Sequence, residues 1–155
     1  MTKEYGTIVN TVVLPYRWAL GQTWTRFFDG LKEEKIYGTR CGTCGKVFVP
    51  AKTFCPDCYS DLDDWMDVSQ EGTLKSWTLV RKSHFGQVRQ PPYALGLIRL
   101  DGTDCEFIHF LGGVDWSDMQ NAREKLKAGA RVKAAWSKEK QADIHDISCF
   151  EPLKS

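Results

Sequence analysis

Four of the six cysteines form two Cys-x-x-Cys pairs, Cys41/Cys44 and Cys55/Cys58, with ten residues between the pairs. Each pair places two sulfur atoms within reach of one ion, and two such pairs on adjacent hairpins supply the four corners of a tetrahedral zinc site with Zn–S distances of about 2.3 Å. Four thiolates leave no coordination position open for water or substrate. We therefore predict a structural Zn²⁺ bound by Cys41, Cys44, Cys55 and Cys58.

Two other interpretations of these cysteines remain open. Disulfides or a redox-active pair are the first, but two pairs this close together are more typical of a metal site. Iron is the second, because a tetrahedral set of thiolates suits either metal. Cys105 and Cys149 lie in strand patterns, and we interpret both as buried small apolar residues.

The segments around the pairs suit the tight turns of a zinc ribbon. Gly42 and Gly45 allow positive φ near the first pair, which lets backbone N–H groups point at sulfur. Pro56 fixes φ in the second pair. Residues 45–50 predict one short strand and a return between the two turns.

An amphipathic helix is predicted over residues 23–35, immediately before the ribbon. Apolar residues recur there at helical spacing, namely Trp24, Phe27, Phe28 and Leu31. Thr23 or Thr25 is the predicted cap.

Residues 7–18 form an apolar and aromatic arm with no local partner element. Docking to another protein and packing on its own domain are equally weighted interpretations of this arm. Buried aromatic residues tend to carry interface energy, so the predicted partner anchors are Trp18, Trp24, Phe27 and Phe28. The last three suit the helix's own core face equally well.

Strand patterns dominate the rest of the chain, at residues 65–68, 72–80, 93–100, 105–111, 131–136 and 144–150. Asp101-Gly102 predicts a turn, and a helix is predicted over residues 116–128. The last five of these strands, with the helix after the third of the five, have the order of an OB-fold. The predicted fold is mostly β with an N-terminal helix, and it divides into an arm and helix (1–35), a rubredoxin-like zinc ribbon (36–70) and a five-stranded OB-fold barrel (71–155).

The loop at residues 81–92 is the most asymmetric charge cluster, with three formal positive charges, one histidine and no acid. OB-folds usually meet ligands at this loop and at the loop between the fourth and fifth strands, here residues 137–143. Basic groups could hold phosphates while the barrel mouth accepts a narrow apolar chain, a combination found in coenzyme A. The candidate cofactor-binding residues are Arg81, Lys82, His84, Phe85 and Arg89. A solvated loop without a ligand is the alternative, and the charges alone favour it.

Composition limits the classes of protein to which the chain can belong. With 42% hydrophobic, 12% aromatic and 26% charged residues, the 155-residue chain is globular. Its formal charge is +1, and a four-thiolate zinc site would bring it to −1, so the basic excess typical of nucleic-acid binders is missing. A nucleic-acid-binding module nevertheless remains the alternative, with Trp77 and Tyr93 as its stacking residues.

The sequence shows neither a membrane or secretory signal nor a recognisable catalytic spacing. No uncharged stretch reaches the ~18 residues that a membrane-spanning helix needs, and no secretory cleavage signal is evident, so we expect a cytoplasmic protein. His84, His109 and His145 are scattered, and no spacing suggests a nucleophile with its base. We therefore predict no catalytic residue, and a free-standing enzyme is the least favoured class.

Five segments together resemble a known family, at residues 27–32, 40–50, 54–58, 72–78 and 91–93. They are similar to the zinc-ribbon/OB-fold acyl-CoA-associated family, whose members accompany thiolases and related acyl-CoA enzymes, and the likeness extends over residues 24–152. The resemblance implies structural zinc at the four paired cysteines. It also implies a hetero-oligomer in which a thiolase-like chain carries the catalytic residues, with coenzyme A or an acyl-CoA at the shared interface.

The length and the N-terminal arm are most similar to family members that serve thiolysis of an aromatic β-ketoacyl-CoA. Two features depart from the family pattern. Tyr59 stands where the family often has glycine, which implies a less regular second knuckle. Residues 116–129 are longer and more helical than usual, which implies partner contacts specific to this chain.

Overall fold

The computed structural model describes Gly6, Ile8, Val9 and residues 14–84, 86–87 and 89–153. A helix comes first, followed by a small ribbon sheet and a barrel. The elements in chain order are α1 (Gly21–Lys32), β1 (Ile36–Arg40), β2 (Val47–Phe48), β3 (Asp64–Val68), β4 (Glu71–Val80), β5 (Tyr93–Leu100), β6 (Phe107–Leu111), α2 (Met119–Lys125), β7 (Arg131–Trp136), a 3₁₀ turn (Ile144–Asp146) and β8 (Ile147–Pro152).

The strands form two separate sheets. The ribbon sheet has the order β2-β1-β3, and the barrel closes in the order β4-β5-β6-β8-β7. All barrel pairs are antiparallel except β6 with β8, and α2 lies between the third and fourth barrel strands. This is the arrangement of an OB-fold, so the predicted fold class of a ribbon followed by a five-stranded barrel is confirmed.

Helix α1 begins two residues before the predicted start. Its N-cap, Leu20, makes no side-chain capping bond, so the prediction of a threonine cap is wrong. Thr25 instead donates its hydroxyl to the Gly21 carbonyl at 2.7 Å. Gly21 has φ of +69°, a conformation that glycine adopts without steric cost, and the chain turns into the helix there.

Helix α2 is shorter than the predicted 116–128. The Asp118 side chain accepts a bond from the backbone of Asn121 at 3.0 Å and fixes the start of the helix. Just before it, Asp115 accepts bonds from both the backbone and the hydroxyl of Ser117. These local bonds hold the preceding residues in turns.

The last strand also begins later than predicted, at Ile147. Asp143 accepts a bond from the backbone of His145 at 2.6 Å, which holds the intervening residues in the 3₁₀ turn. The buried carboxylate of Asp146 then accepts bonds from two loop N–H groups, at 2.7 and 3.0 Å. Short polar side chains thus favour the turn over an extended strand.

One hydrophobic cluster runs through the helix, the ribbon and the barrel. Phe27 is fully buried in it and Phe28 is 8% exposed. Neither ring is available to a partner in this fold, so the core interpretation holds for both and the docking interpretation is wrong for them. Their burial follows from the helical spacing, since both rings face the side of α1 that packs on β1.

The loop after β5 binds the open edge of β2 and the residue that follows Phe48, and it joins the two sheets. Val47 donates its N–H to the Asp104 carboxylate at 2.9 Å, and Asp104 donates its own N–H to the Val47 carbonyl at 3.0 Å. Cys105 repeats the arrangement two residues on, since its Sγ lies 3.1 Å from the Val49 nitrogen and 3.2 Å from the Val49 oxygen. Cys105 is half-buried. Because its thiol is hydrogen-bonded, it is not simply the small apolar residue that the sequence predicts.

Replacing Asp104 with alanine should destabilise the protein by about 1–2 kcal/mol, because the buried Val47 N–H loses its acceptor. Urea unfolding of the zinc-loaded protein measures the change. Asp104→Asn keeps an acceptor oxygen and should recover most of the loss. An alanine variant with an unchanged midpoint would show that this contact contributes nothing to stability.

Candidate metal centre and ligand-binding loops

The two cysteine pairs meet as one cluster. All four Sγ atoms lie within 4.8 Å of one another, and the Cys44 and Cys55 sulfurs are 3.8 Å apart. A tetrahedral site with Zn–S distances of about 2.3 Å requires sulfur separations of about 3.8 Å. Every cysteine is a free thiol, so no disulfide competes for these sulfurs. The predicted four-cysteine cluster is confirmed, and its geometry fits a structural zinc ion.

The two knuckles have nearly the same backbone. Gly45 donates to the Cys41 carbonyl at 2.8 Å, and Tyr59 donates to the Cys55 carbonyl at 2.9 Å. Both donors have positive φ, +76° for Gly45 and +56° for Tyr59. The expectation of a less regular second knuckle is therefore wrong. This conformation costs a non-glycine residue roughly 1–2 kcal/mol. The Tyr59 side chain is 83% exposed, so the conformation points it into solvent.

Two thiols of the cluster have pKa values shifted in opposite directions. The Ser60 hydroxyl, 3.4 Å from the Cys41 sulfur, lowers the pKa of Cys41 to about 6 with help from the Cys44 N–H. Hydrogen bonding to Cys44, together with burial, raises the pKa of Cys58 to about 12. Four thiolates this close repel one another unless a cation lies between them, so binding of a divalent metal should release protons.

The basic loop between β4 and β5 has an internal frame centred on Gln87. The Gln87 side chain accepts a bond from the His84 backbone at 2.8 Å. Its amide nitrogen lies 3.4 Å from the Lys82 carbonyl and 3.3 Å from the Tyr93 hydroxyl. Sequence reasoning missed Gln87, because a glutamine among basic residues carries no recognisable signal.

The five candidate cofactor-binding residues divide into three groups. Arg81, Lys82 and His84 are exposed on the framed loop. Phe85 lies outside the described residues. Arg89 packs its guanidinium 4.0 Å from the centre of the Phe110 ring and donates to the Ser148 carbonyl at 3.3 Å, so it fastens the loop to the barrel.

The 3₁₀ turn before β8 contacts the same aromatic residue. His145 stacks on Phe110 with ring centroids 6.3 Å apart. Lys140, within residues 137–143, forms an ion pair with Glu34 after α1 at 2.6 Å and lies over the Trp136 ring. Phe110 therefore contacts both the basic loop and the 3₁₀ turn that follows the second loop.

A buried histidine precedes Phe110 in β6. His109 is 4% exposed, and one of its ring nitrogens, Nε2, lies 3.1 Å from the Ile144 carbonyl. The other nitrogen, Nδ1, has no hydrogen-bond partner. Burial lowers the pKa of His109 to about 4, and the charges of His145 and Arg89 add to the effect, so the ring is neutral near pH 7.

The aromatic residues proposed for nucleic-acid stacking are already packed within the protein. Tyr93 is 7% exposed and lies edge-on to Phe110 at 5.5 Å. Trp77 is half-buried, with its ring centroid 6.1 Å from that of Trp116. Neither residue offers a free platform for successive bases.

Two of the predicted partner anchors remain accessible. Trp18 is 72% exposed and Trp24 is 41% exposed, although Trp24 also packs against the rings of Phe27 and Phe28. Partner contacts by Trp18 and Trp24 stay predictions. Neither α1 nor α2, the α-helices of the described residues, is long and apolar enough to cross a membrane.

Comparisons with known proteins match both parts of the fold. Residues 28–63 match the family model of the rubredoxin-like zinc ribbon domain of ChsH2, and residues 65–137 match that of its C-terminal OB-fold domain. Among solved structures, a protein of unknown function from the DUF35 family of Sulfolobus solfataricus is 23% identical with a TM-score of 0.62, covering 86% of this chain and 87% of that one. The Ltp2-ChsH2(DUF35) aldolase is 21% identical with a TM-score of 0.63, covering 88% of this chain and 98% of that one. At these identities the structural matches show a shared fold.

Proposed function

Because the chain belongs to the ChsH2/DUF35 family of zinc-ribbon and OB-fold proteins, we propose that it is the non-catalytic, zinc-containing subunit of a heteromeric acyl-CoA thiolase. The observation that carries the proposal is the match of both ChsH2 domains, in order, over most of the chain. The related aldolase structure, whose name joins ChsH2 to a second protein, Ltp2, supports the expectation of a partner.

The chemistry of the metal centre supports a structural role. An ion held by four thiolates has no free position at which to polarise a carbonyl or activate water. Thiolytic cleavage also needs a nucleophile and a base, which we assign to the thiolase-like partner. This chain then completes and stabilises the complex and helps to shape the coenzyme A channel.

Coenzyme A is the ligand we propose for the basic loop, at the interface shared with the partner. Arg81 and Lys82 are exposed, and the Gln87 bonds to the Lys82 carbonyl and the His84 backbone hold the loop in place. Basic side chains presented on a framed loop suit phosphate groups. The substrate we propose is benzoylsuccinyl-CoA, the β-ketoacyl-CoA cleaved in anaerobic toluene degradation, on the basis of the family resemblance of the sequence.

The partner assignment is tested by co-expressing the chain with thiolase-like chains of the same genome and purifying through a tag on this chain. We expect a stable complex whose thiolysis activity is lost when either chain is omitted. If no thiolase-like chain is retained, and the isolated protein instead binds oligonucleotides with steep salt dependence, the alternative of a nucleic-acid-binding module replaces the proposal.

The double variant Arg81→Ala, Lys82→Ala should raise the KM of the complex for coenzyme A about three- to tenfold, because two exposed charges each contribute up to about 1 kcal/mol. The kcat should stay within twofold. The double variant Lys125→Ala, Lys127→Ala removes two exposed charges that lie outside both loops and serves as the control. Equal KM values for the double variant and the unmodified complex would reduce the basic loop to a solvated surface.

A further inference from the structure

The residues before α1 carry an unusual share of exposed apolar surface. The described large hydrophobic residues there are 72–92% exposed, namely Ile8, Val9, Leu14, Tyr16 and Trp18. In the rest of the described chain, large hydrophobic residues with comparable exposure are few, Tyr59 at 83% being the extreme. Exposed apolar side chains concentrated in one segment indicate an interaction site.

The fold does not account for this surface. Within the described part of the chain, no hydrogen bond or ring contact joins Tyr16 or Trp18 to another residue. Leu20, by contrast, packs against the core and anchors the end of the segment. The family's ribbon model begins only at residue 28, so the segment before α1 lies outside the residues matched to the family.

The spacing of the apolar residues fits binding in an extended conformation. Leu14, Tyr16 and Trp18 occupy every second position, and alternate side chains of an extended chain point to the same side. Pro15 and Arg17 fall on the opposite side. At about 3.3 Å per residue, the three side chains span about 13 Å.

We propose that residues 14–19, which we call the docking segment, bind as an extended strand in an apolar groove of the thiolase-like partner, with Leu14, Tyr16 and Trp18 in successive pockets. This inference rests on the proposed function, since it names the contact surface of that complex. Main-chain binding with pockets for alternate side chains is an established mode of peptide recognition.

The area of the segment favours a partner protein as its occupant. A buried aromatic side chain removes roughly 150–250 Å² from water, so Tyr16 and Trp18, together with Leu14, offer on the order of 500 Å². A standard interface buries about 800 Å² per partner, and the segment would supply more than half of that. The related ChsH2 fold is known from a structure named for two proteins, which favours a heteromeric partner over a second copy of this chain.

The test compares two sets of serine substitutions within the segment. The first variant carries Leu14→Ser, Tyr16→Ser and Trp18→Ser, and the matched control carries Arg17→Ser and Ala19→Ser on the opposite side. All five residues are exposed, so zinc content and melting temperature should stay those of the parent chain. The first variant should bind the purified partner at least about 30-fold more weakly, whereas the control should bind within threefold of the parent.

The outcomes separate the docking segment from the proposed function. If the parent chain and the triple variant bind the thiolase-like partner equally well, the docking segment is wrong and the subunit role stands. If the parent chain binds no thiolase-like partner, both proposals fail. If the triple substitution abolishes a homodimer of this chain and leaves partner binding intact, the occupant is a second copy and the docking proposal is overturned.

Discussion

Replacing Cys41 with serine should abolish zinc binding and unfold the ribbon. The hydroxyl of serine is a poor zinc ligand, and the remaining three thiols lose the fourth corner of their tetrahedron. Structural zinc supplies apparent binding energies of about 10–16 kcal/mol in small domains, so losing the ion should cost on the order of 5 kcal/mol or more. Metal analysis should show about one zinc per chain in the parent protein and none in the variant.

The loss should extend beyond the ribbon, because residues of α1, the ribbon and the barrel share one hydrophobic cluster. We therefore expect a lower melting temperature for the whole protein. Cys105→Ser is the matched control, since Cys105 lies outside the four-cysteine cluster and a serine hydroxyl can bond to Val49 in the same way. A Cys41→Ser protein that keeps its full metal content and its melting temperature would contradict a structural site.

Acidification should destabilise the protein through His109. Burial lowers the pKa of His109 to about 4 in the folded chain, whereas an unfolded histidine has a pKa of about 6.5. Below pH 6.5 the unfolded chain gains a proton that the folded chain does not take up until about pH 4. The stability present above pH 6.5 is therefore lost as the pH falls through this window, by about 3 kcal/mol in total.

The His109→Phe variant isolates this contribution. Phenylalanine keeps an aromatic ring among Phe107, Phe110 and Phe150 and cannot be protonated. Cysteine protonation also weakens metal binding in acid, but it does so in both proteins and cancels in their difference. Unfolding free energies of parent and variant between pH 7.5 and pH 4.5 should diverge by about 2–3 kcal/mol. Parallel curves would show that His109 does not drive the acid sensitivity.

The metal cluster and the barrel could be predicted because local patterns specify them. Cysteine spacing brings two thiols to each turn, and the strand and helix order of an OB-fold is visible as apolar periodicity. The limits of β5 and β7 were predicted correctly to the residue. Ends that depend on side-chain bonds were missed, as with Asp118 at the start of α2 and Asp143 before the last strand.

Contacts between distant segments could not be predicted. The prediction of Arg89 as a phosphate ligand rests on its charge alone. Its position over Phe110 depends on where β6 lies relative to the loop. The spacing of Phe27 and Phe28 is equally compatible with a core and with an interface, and only the packing of α1 on β1 decides between them. The bonds of Asp104 to Val47 and of Cys105 to Val49 join residues more than 50 positions apart.

The contact of Asp104 and Cys105 with Val47 and Val49 also bears on aggregation. β2 is an edge strand of the ribbon sheet, and an edge with free N–H and C=O groups can pair with a strand of another molecule. Here the groups of Val47 and Val49 are occupied by the barrel's own turn. The barrel thus shields this edge of the ribbon sheet from pairing with another molecule, and this protection lasts only while the two parts of the chain stay docked.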